Sequence, residues 1–280
     1  MRLAVGFFDG VHLGHRRILA SADAALTFRN HPATVFAPAR APHLLMTATE
    51  RLDALAHRVL HVHALDFTPA LAEKSADDFA DWLRRQFPDL EAICCGPNWT
   101  FGKGGVGTAD FLRARGFVVE TVPFVVQNGE PVSSTRIRRA IAAGDMAAAA
   151  AMLGRPWRVV GEVFAGKGLG RALGTPTLNV RWSAERICPP RGVYAVETDF
   201  GRGVANFGVA PTLGTRAWSD PVLEVHLLAA ADVPAVRTLS VAFLKYLRPE
   251  RTFASLAELQ SQIVRDADAA RLISSSSTSL

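Results

Sequence analysis

Cysteine is scarce. The 280-residue chain has three, with Cys94 and Cys95 adjacent and Cys188 far away. That pattern excludes a disulfide framework and offers no zinc-ligand spacing, so a reducing cytoplasmic setting is expected. No apolar stretch approaches a membrane span. The N-terminal run Leu3–Val5 is too short for a signal peptide, and an acid follows at Asp9. A dense lysine/arginine tract is missing too, although the net charge is +5 and the pI ≈ 9.5. Arginine carries that charge and lysine is rare, which favours fork-like contacts to anionic small molecules over nucleic acid or a membrane surface. No obligatory protein partner is evident. What the chain does have is 49% hydrophobic residues, enough for a sizeable core in two ordinary domains.

The two halves follow different patterns. In the first, short apolar runs at Leu3–Val5, Ala25–Phe28, His61–Leu65, Glu91–Cys95 and Phe117–Val122 read as strands. Between them, Thr49–Arg58, Ser75–Gln86 and Thr108–Arg115 read as helices. Alternation of this kind predicts an α/β domain with a mostly parallel sheet, binding ligands beyond the carboxyl ends of its strands. An alanine-rich helical stretch, Ile137–Leu153, is interrupted at Gly144-Asp145 and leads into Gly154-Arg155-Pro156. In the second half, Val159–Phe164, Gly192–Thr198, Gly203–Val209, Val222–Leu228 and Leu239–Tyr246 read as strands separated by glycine/proline turns. That predicts an all-β, antiparallel Greek-key-like barrel or sandwich, closed by one helix whose capping box is Ser255-x-x-Glu258. The expected division is a domain at 1–142, a linker at 143–156, a domain at 157–273 and a flexible tail at 274–280.

Chemistry is concentrated in a few segments. After the first strand comes Gly6-Phe7-Phe8-Asp9-Gly10-Val11-His12-Leu13-Gly14-His15, with Val11–Ala20 read as a helix. His12 and His15 then share the face of its first turn, where free N–H groups and the helix dipole attract phosphate. A solvated histidine near a helix start is the plainer reading, but two at this spacing after a strand, one on each side of Gly14, favour a phosphate site. Further on, Val132–Arg138 places Ser134 and Thr135 at a helix start and Arg138 in its first turn, again suited to phosphate. A simple serine/threonine cap would explain that stretch by itself. Gly102-x-Gly104-x-x-Gly107 fits a dinucleotide fingerprint, but no strand directly precedes it, and the match is set aside.

In the second half, Gly166-Lys167-Gly168-Leu169-Gly170-Arg171 is a candidate backbone phosphate nest. Thr177 and Asn179 are hard oxygen donors two apart, on one face if the segment is extended, and suit Mg²⁺. Alternation puts Val222, Glu224 and His226 on one face and Leu223, Val225 and Leu227 on the other. An ordinary turn-rich hairpin and a solvated sheet face are the plainer readings here.

These motifs resemble, in order and over nearly the whole chain, those of the bifunctional riboflavin kinase/FAD synthetase family. Phe8-Asp9-Gly10-Val11-His12-x-Gly14-His15 is similar to its His-x-Gly-His signature, Ser133–Arg138 to its Ser-Ser-Thr-x-x-Arg motif, and Gly174-Thr175-Pro176-Thr177-Leu178-Asn179 to the kinase Gly-x-Pro-Thr-x-Asn motif. The resemblance implies a Rossmann-like nucleotidyltransferase domain before a riboflavin kinase barrel. It implies ATP as co-substrate with Mg²⁺, riboflavin as substrate, and FMN and FAD as products. Phe8, Asp9, Gly10, Ser134, Thr135, Gly166, Lys167, Gly168, Gly170 and Arg171 are then expected at ATP phosphates. His31 and Asn98 fall in flavin or nucleotide loops, Thr177 and Asn179 hold the metal, and Glu224 is the kinase base. His12, His15 and Arg138 serve adenylyl transfer. The chain departs from the family in the short segment between His15 and Thr27, and in Arg29 and Asn30, where relatives carry an acid and a proline. Two other readings stay open: a kinase alone beside an eroded first domain, and a flavin- or nucleotide-binding regulator without turnover.

Overall fold

The computed structural model describes residues 1–165, 177–209, 221–229 and 235–273. They form two compact units, 1–134 and 135–280.

In the first unit, five strands make one all-parallel sheet: β1 (Arg2–Val5), β2 (Ala24–Phe28), β3 (His61–Leu65), β4 (Ala92–Cys95) and β5 (Val119–Thr121), ordered β3-β2-β1-β4-β5. The central strands are short apolar runs because helices cover both faces, and Leu3, Ala4, Ala24, Ala25 and Ile93 are fully buried. Cys94 and Cys95 lie in this core as free thiols, and burial pushes both up from their ordinary values, which suits packing and not reactivity. The helices are α1 (Leu13–Leu19), α2 (Ala33–Phe36), α3 (Ala48–Ala56), α4 (Pro69–Ala72), α5 (Ala76–Gln86) and α6 (Ala109–Arg113). Capping boxes Thr47/Glu50 and Ser75/Asp78 start α3 and α5. The shortened crossover closes in register: seven-residue α1 is enough, and Leu3 pairs Ala24, Ala4 pairs Ala25 and Val5 pairs Leu26. A small hairpin, β6 (Val126–Gln127) with β7 (Glu130–Pro131), precedes α7 (Ser134–Ala142).

In the second unit, α8 (Met146–Leu153) leads into a closed six-stranded antiparallel barrel. Its strands are β8 (Trp157–Phe164), β9 (Thr177–Arg181), β10 (Gly192–Thr198), β11 (Gly201–Val209), β12 (Pro221–Leu227) and β13 (Thr238–Arg248), ordered β10-β11-β12-β9-β8-β13. Pairing of β9 with β12 gives the Greek-key-like order. Trp157, Trp182, Tyr194, Phe207 and Phe243 fill the interior through stacked and edge-on ring contacts. The terminal helix α9 (Leu256–Arg271) starts at the Ser255/Glu258 cap and lies on β10 and β11. No helix among the described residues is long and apolar enough to cross a membrane.

Several boundaries differ from expectation. The first helix begins at Leu13, not Val11, because Val11 sits at φ 42, outside helical space. The linker helix begins at Ser134, which puts Arg138 one turn in and not in the first turn. Strand β9 is absent from the expected strands, although its residues carry the Thr177/Asn179 motif. Its hydrogen bonds come from distant strands, which local sequence does not reveal.

Candidate active sites

Strand order brings three loops to one edge of the parallel sheet. The segments after β2, β1 and β4 follow the carboxyl ends of neighbouring strands. They carry His31, the Phe8–His15 turn, and Asn98, which sits in the turn Gly96–Trp99.

The Phe8–His15 turn is built under strain. Phe8, Gly10 and Val11 all have positive φ, at 58, 84 and 42. For a β-branched residue such as Val11 this costs roughly 1–3 kcal/mol, which the surrounding contacts must offset. Phe8 and Val11 are buried and drive their side chains into the core. The Asp9 carboxylate accepts the Leu45 N–H at 3.0 Å and the Met46 N–H at 3.2 Å, and the Asp9 carbonyl accepts the Ser134 hydroxyl at 2.9 Å. Asp9 is thus a buried clamp for the turn.

His12 caps α1. Its Nδ1 accepts the His15 N–H at 3.3 Å, so the ring proton sits on Nε2 and that atom is a donor. One amide expected to serve phosphate is therefore taken by His12 itself. The two imidazoles stack with centroids 3.5 Å apart and planes 18° apart, and Phe8 meets His15 edge-on at 5.3 Å. Two cations that close would repel by about 4–5 kcal/mol at an effective dielectric of about 20. Burial, and then the neighbouring His12, hold His15 well below the ordinary histidine value. His15 is therefore held neutral, and its ring offers an N–H as a donor.

Two further residues shape this edge. Arg51 is fully buried, donates to the Phe28 and Arg29 carbonyls at 2.7 and 2.9 Å, and lies over the Phe7 ring at 4.0 Å. Phe7 in turn meets His31 edge-on at 4.6 Å. No motif in the sequence singles out Arg51; its one signal is an arginine at a core-facing position of α3. The set-aside fingerprint has a packing reason. A Cβ on Gly102 would lie 2.8 Å from the Ala76 backbone, and one on Gly107 would meet the Phe101 ring at 2.5 Å.

The barrel site lies on the outer wall. Leu223, Val225 and Leu227 are buried in the interior, so Glu224 and His226 face out, as alternation requires. Register sets Glu224 between Asn179 on β9 and Asn206 on β11, and sets His226 opposite Thr177. Thr177, Asn206, Glu224 and His226 line a cavity of about 330 Å³, with Phe253, Leu259 and Ile263 as an apolar wall. The Asn206 amide donates to Glu250 at 3.0 Å; a Cβ on Gly208 would sit 2.2 Å from that carboxylate. Arg248 grips Asp266 with Nε at 3.0 Å and Nη2 at 2.7 Å, which pins α9 to the end of β13. No motif in the sequence singles out Leu259 and Ile263. Their signal was an apolar helix face left over once the barrel had closed. Gly166, Lys167, Gly168, Gly170 and Arg171 lie outside the described residues. Thr135 is exposed near the start of α7.

A parallel nucleotide-type sheet joined to an antiparallel barrel with a carboxylate-lined pocket defines a two-domain transferase. Comparison makes this specific. The FAD synthetase family model matches residues 1–136 and the riboflavin kinase model residues 153–274. The chain is 38% identical to a bifunctional riboflavin kinase/FMN adenylyltransferase of Pseudomonas fluorescens, covering 98% of this chain and 93% of that one. It is 35% identical to the protein of the same name in Escherichia coli K12, over 96% and 91%, and 31% identical to that of Bacillus subtilis, over 94% and 89%. A crystal structure described as a macrolide-efflux protein from Streptococcus pneumoniae superposes with a TM-score of 0.86 at 27% identity, covering 98% of this chain and 94% of that one. The chain belongs to the bifunctional riboflavin kinase/FMN adenylyltransferase family.

Proposed function

We propose that the two activities of the family are divided between the two units, with the barrel phosphorylating riboflavin and the parallel-sheet unit adenylylating FMN. In the barrel, Glu224 takes the proton of the terminal ribityl hydroxyl. The freed oxygen attacks the γ-phosphorus of ATP, its bond to the ADP oxygen breaks, and FMN and ADP leave. The observation that carries this reading is the register: Glu224 faces the cavity, flanked across the ladder by Asn179 and Asn206. The apolar wall of Phe253, Leu259 and Ile263 suits a flavin ring.

Thr177 and Asn179 supply a hydroxyl and an amide oxygen two residues apart on β9, beside the Glu224 carboxylate. That sparse, hard set fits Mg²⁺, which takes few protein ligands and fills its shell with water and phosphate oxygens. Bound there, the ion would neutralise phosphate charge on ATP. Gly166, Lys167, Gly168, Gly170 and Arg171 join this site as phosphate contacts on the strength of the motif.

In the other unit, an FMN phosphate oxygen attacks the α-phosphorus of ATP and diphosphate leaves. The attacking group is already an anion, so no base is needed; alignment and charge stabilisation do the work. His12 and His15 donate N–H groups to phosphate, Asp9 and Ser134 hold their turn, and His31 and Asn98 border the nucleotide or flavin. Phe8, Gly10, Thr135 and Arg138 are carried here by the motifs. In-register closure of the short β1–α1–β2 crossover supports a working domain over an eroded one. The cysteine pattern supports the cytosol as the setting. The test is incubation of the protein with riboflavin, ATP and Mg²⁺ and separation of the flavins. FMN followed by FAD is expected; FMN alone would mean a kinase, and unconsumed ATP a binding protein.

A further inference from the structure

The turn after β2 holds a device that the family motif does not contain. Backbone pairing of β2 with β3 ends at Phe28 and Leu65, with one further bond from the Arg29 N–H to the Leu65 carbonyl at 2.7 Å. Beyond it, the Asn30 side chain continues the ladder. Its Oδ1 accepts the Phe67 N–H at 2.8 Å and its Nδ2 donates to the Phe67 carbonyl at 2.9 Å. Only one orientation of the amide satisfies both contacts. A proline at this position has no amide and could make neither.

The same Nδ2 reaches the Thr34 hydroxyl at 3.3 Å, and that hydroxyl donates to the His31 carbonyl at 2.7 Å. The His31 ring is fixed from its other end, where Nδ1 accepts the Ala33 N–H at 3.1 Å, leaving Nε2 to carry the proton. Phe67 is anchored in turn, with its ring edge-on to Phe28 at 5.0 Å and to Phe36 at 5.1 Å. A chain of restraints thus runs from Phe67 through Asn30 and Thr34 to His31.

We infer that Asn30 is a positioning residue for adenylyl transfer, holding His31 in its working geometry by pairing with the Phe67 peptide. This rests on the reading above that His31 borders the reacting ligands. An error of about 1 Å at such a group costs on the order of 100-fold in rate, so a hydrogen-bonded strap is a sufficient lever.

The experiment is a double-mutant cycle on FMN-to-FAD conversion with Asn30→Ala and His31→Ala. Asn30→Ala is expected to lower kcat by about 10- to 100-fold, with KM for FMN little changed. In the His31→Ala background it should cost nothing further. Asn30→Asp is the second variant, should the alanine form not fold. It keeps the acceptor for the Phe67 N–H, sets an oxygen against the Phe67 carbonyl, and should lose rate in the same way. Equal losses in both backgrounds, or no loss from either Asn30 variant, would overturn the inference. If His31→Ala alone leaves FAD formation intact, the reading of His31 falls, and this inference with it.

Discussion

The parallel-sheet unit and the barrel build their candidate sites by opposite means. At the sheet edge the backbone itself is bent to the purpose. Three residues of the Phe8–Val11 turn stand at positive φ, and side chains such as Asp9, His12 and Asn30 spend their polar atoms holding peptides in place. On the barrel wall the backbone is regular, and strand register alone brings Thr177, Asn179, Asn206, Glu224 and His226 onto neighbouring strands of the outer face. A site on loops needs a scaffold of hydrogen bonds to be precise; one on paired strands inherits its precision from the ladder. Sensitivity should differ accordingly. The sheet-edge site is exposed to changes in residues that never touch substrate, whereas the barrel site depends on the few side chains that face the cavity.

Mutation can break or sharpen this contrast. The largest effect is expected from Glu224→Gln, which removes the proposed base and keeps its shape. FMN formation should fall by about 100- to 10,000-fold, with FMN-to-FAD conversion unchanged, as read by flavin separation. Next comes the pair His12→Ala/His15→Ala, which should lower FAD formation by about 100- to 1,000-fold and leave FMN formation alone. Asp266→Ala leaves the mostly buried Arg248 guanidinium without its carboxylate and frees α9. A loss of about 3 kcal/mol in barrel stability is expected, seen in thermal unfolding together with weaker riboflavin binding.

The smallest effect is a pH slope. His15 has its folded value held down by burial, while the unfolded chain takes up a proton below about 6.5. The unfolded state thus binds more protons, and stability falls as pH drops through that value, by at most about 1.4 kcal/mol per pH unit. His15→Gln should flatten that part of the unfolding curve. An unchanged slope would mean that His15 is not held neutral.

Where an element declares itself locally, it was legible in the sequence. Alternating strands and helices and the in/out pattern of Val222–Leu227 reappear in the structure, and Ser255 caps the last helix, although the Glu258 carboxylate takes the Ala254 N–H and leaves the expected box half formed. The outward position of Glu224 could be read because it stands within an alternation of apolar and polar residues. What escaped depends on partners distant in sequence. Strand β9 is a strand because β12 and β8 pair with it. Arg51 is buried because the Phe28 and Arg29 carbonyls and the Phe7 ring converge on it. The Asn30 strap exists only because Phe67 comes alongside. The start of α1 was misplaced because the positive φ of Val11 is imposed by the turn and not by valine's own preference.

The central claim, one reaction per unit with separable residues, is tested most directly by mixing two crippled proteins. Glu224→Gln and His12→Ala/His15→Ala are each supplied with riboflavin, ATP and Mg²⁺, alone and together, and the flavins are separated over time. Alone, the first should leave riboflavin untouched and the second should stop at FMN; mixed, they should carry riboflavin through to FAD. A mixture that makes no FAD, or either variant losing both reactions, would contradict the account.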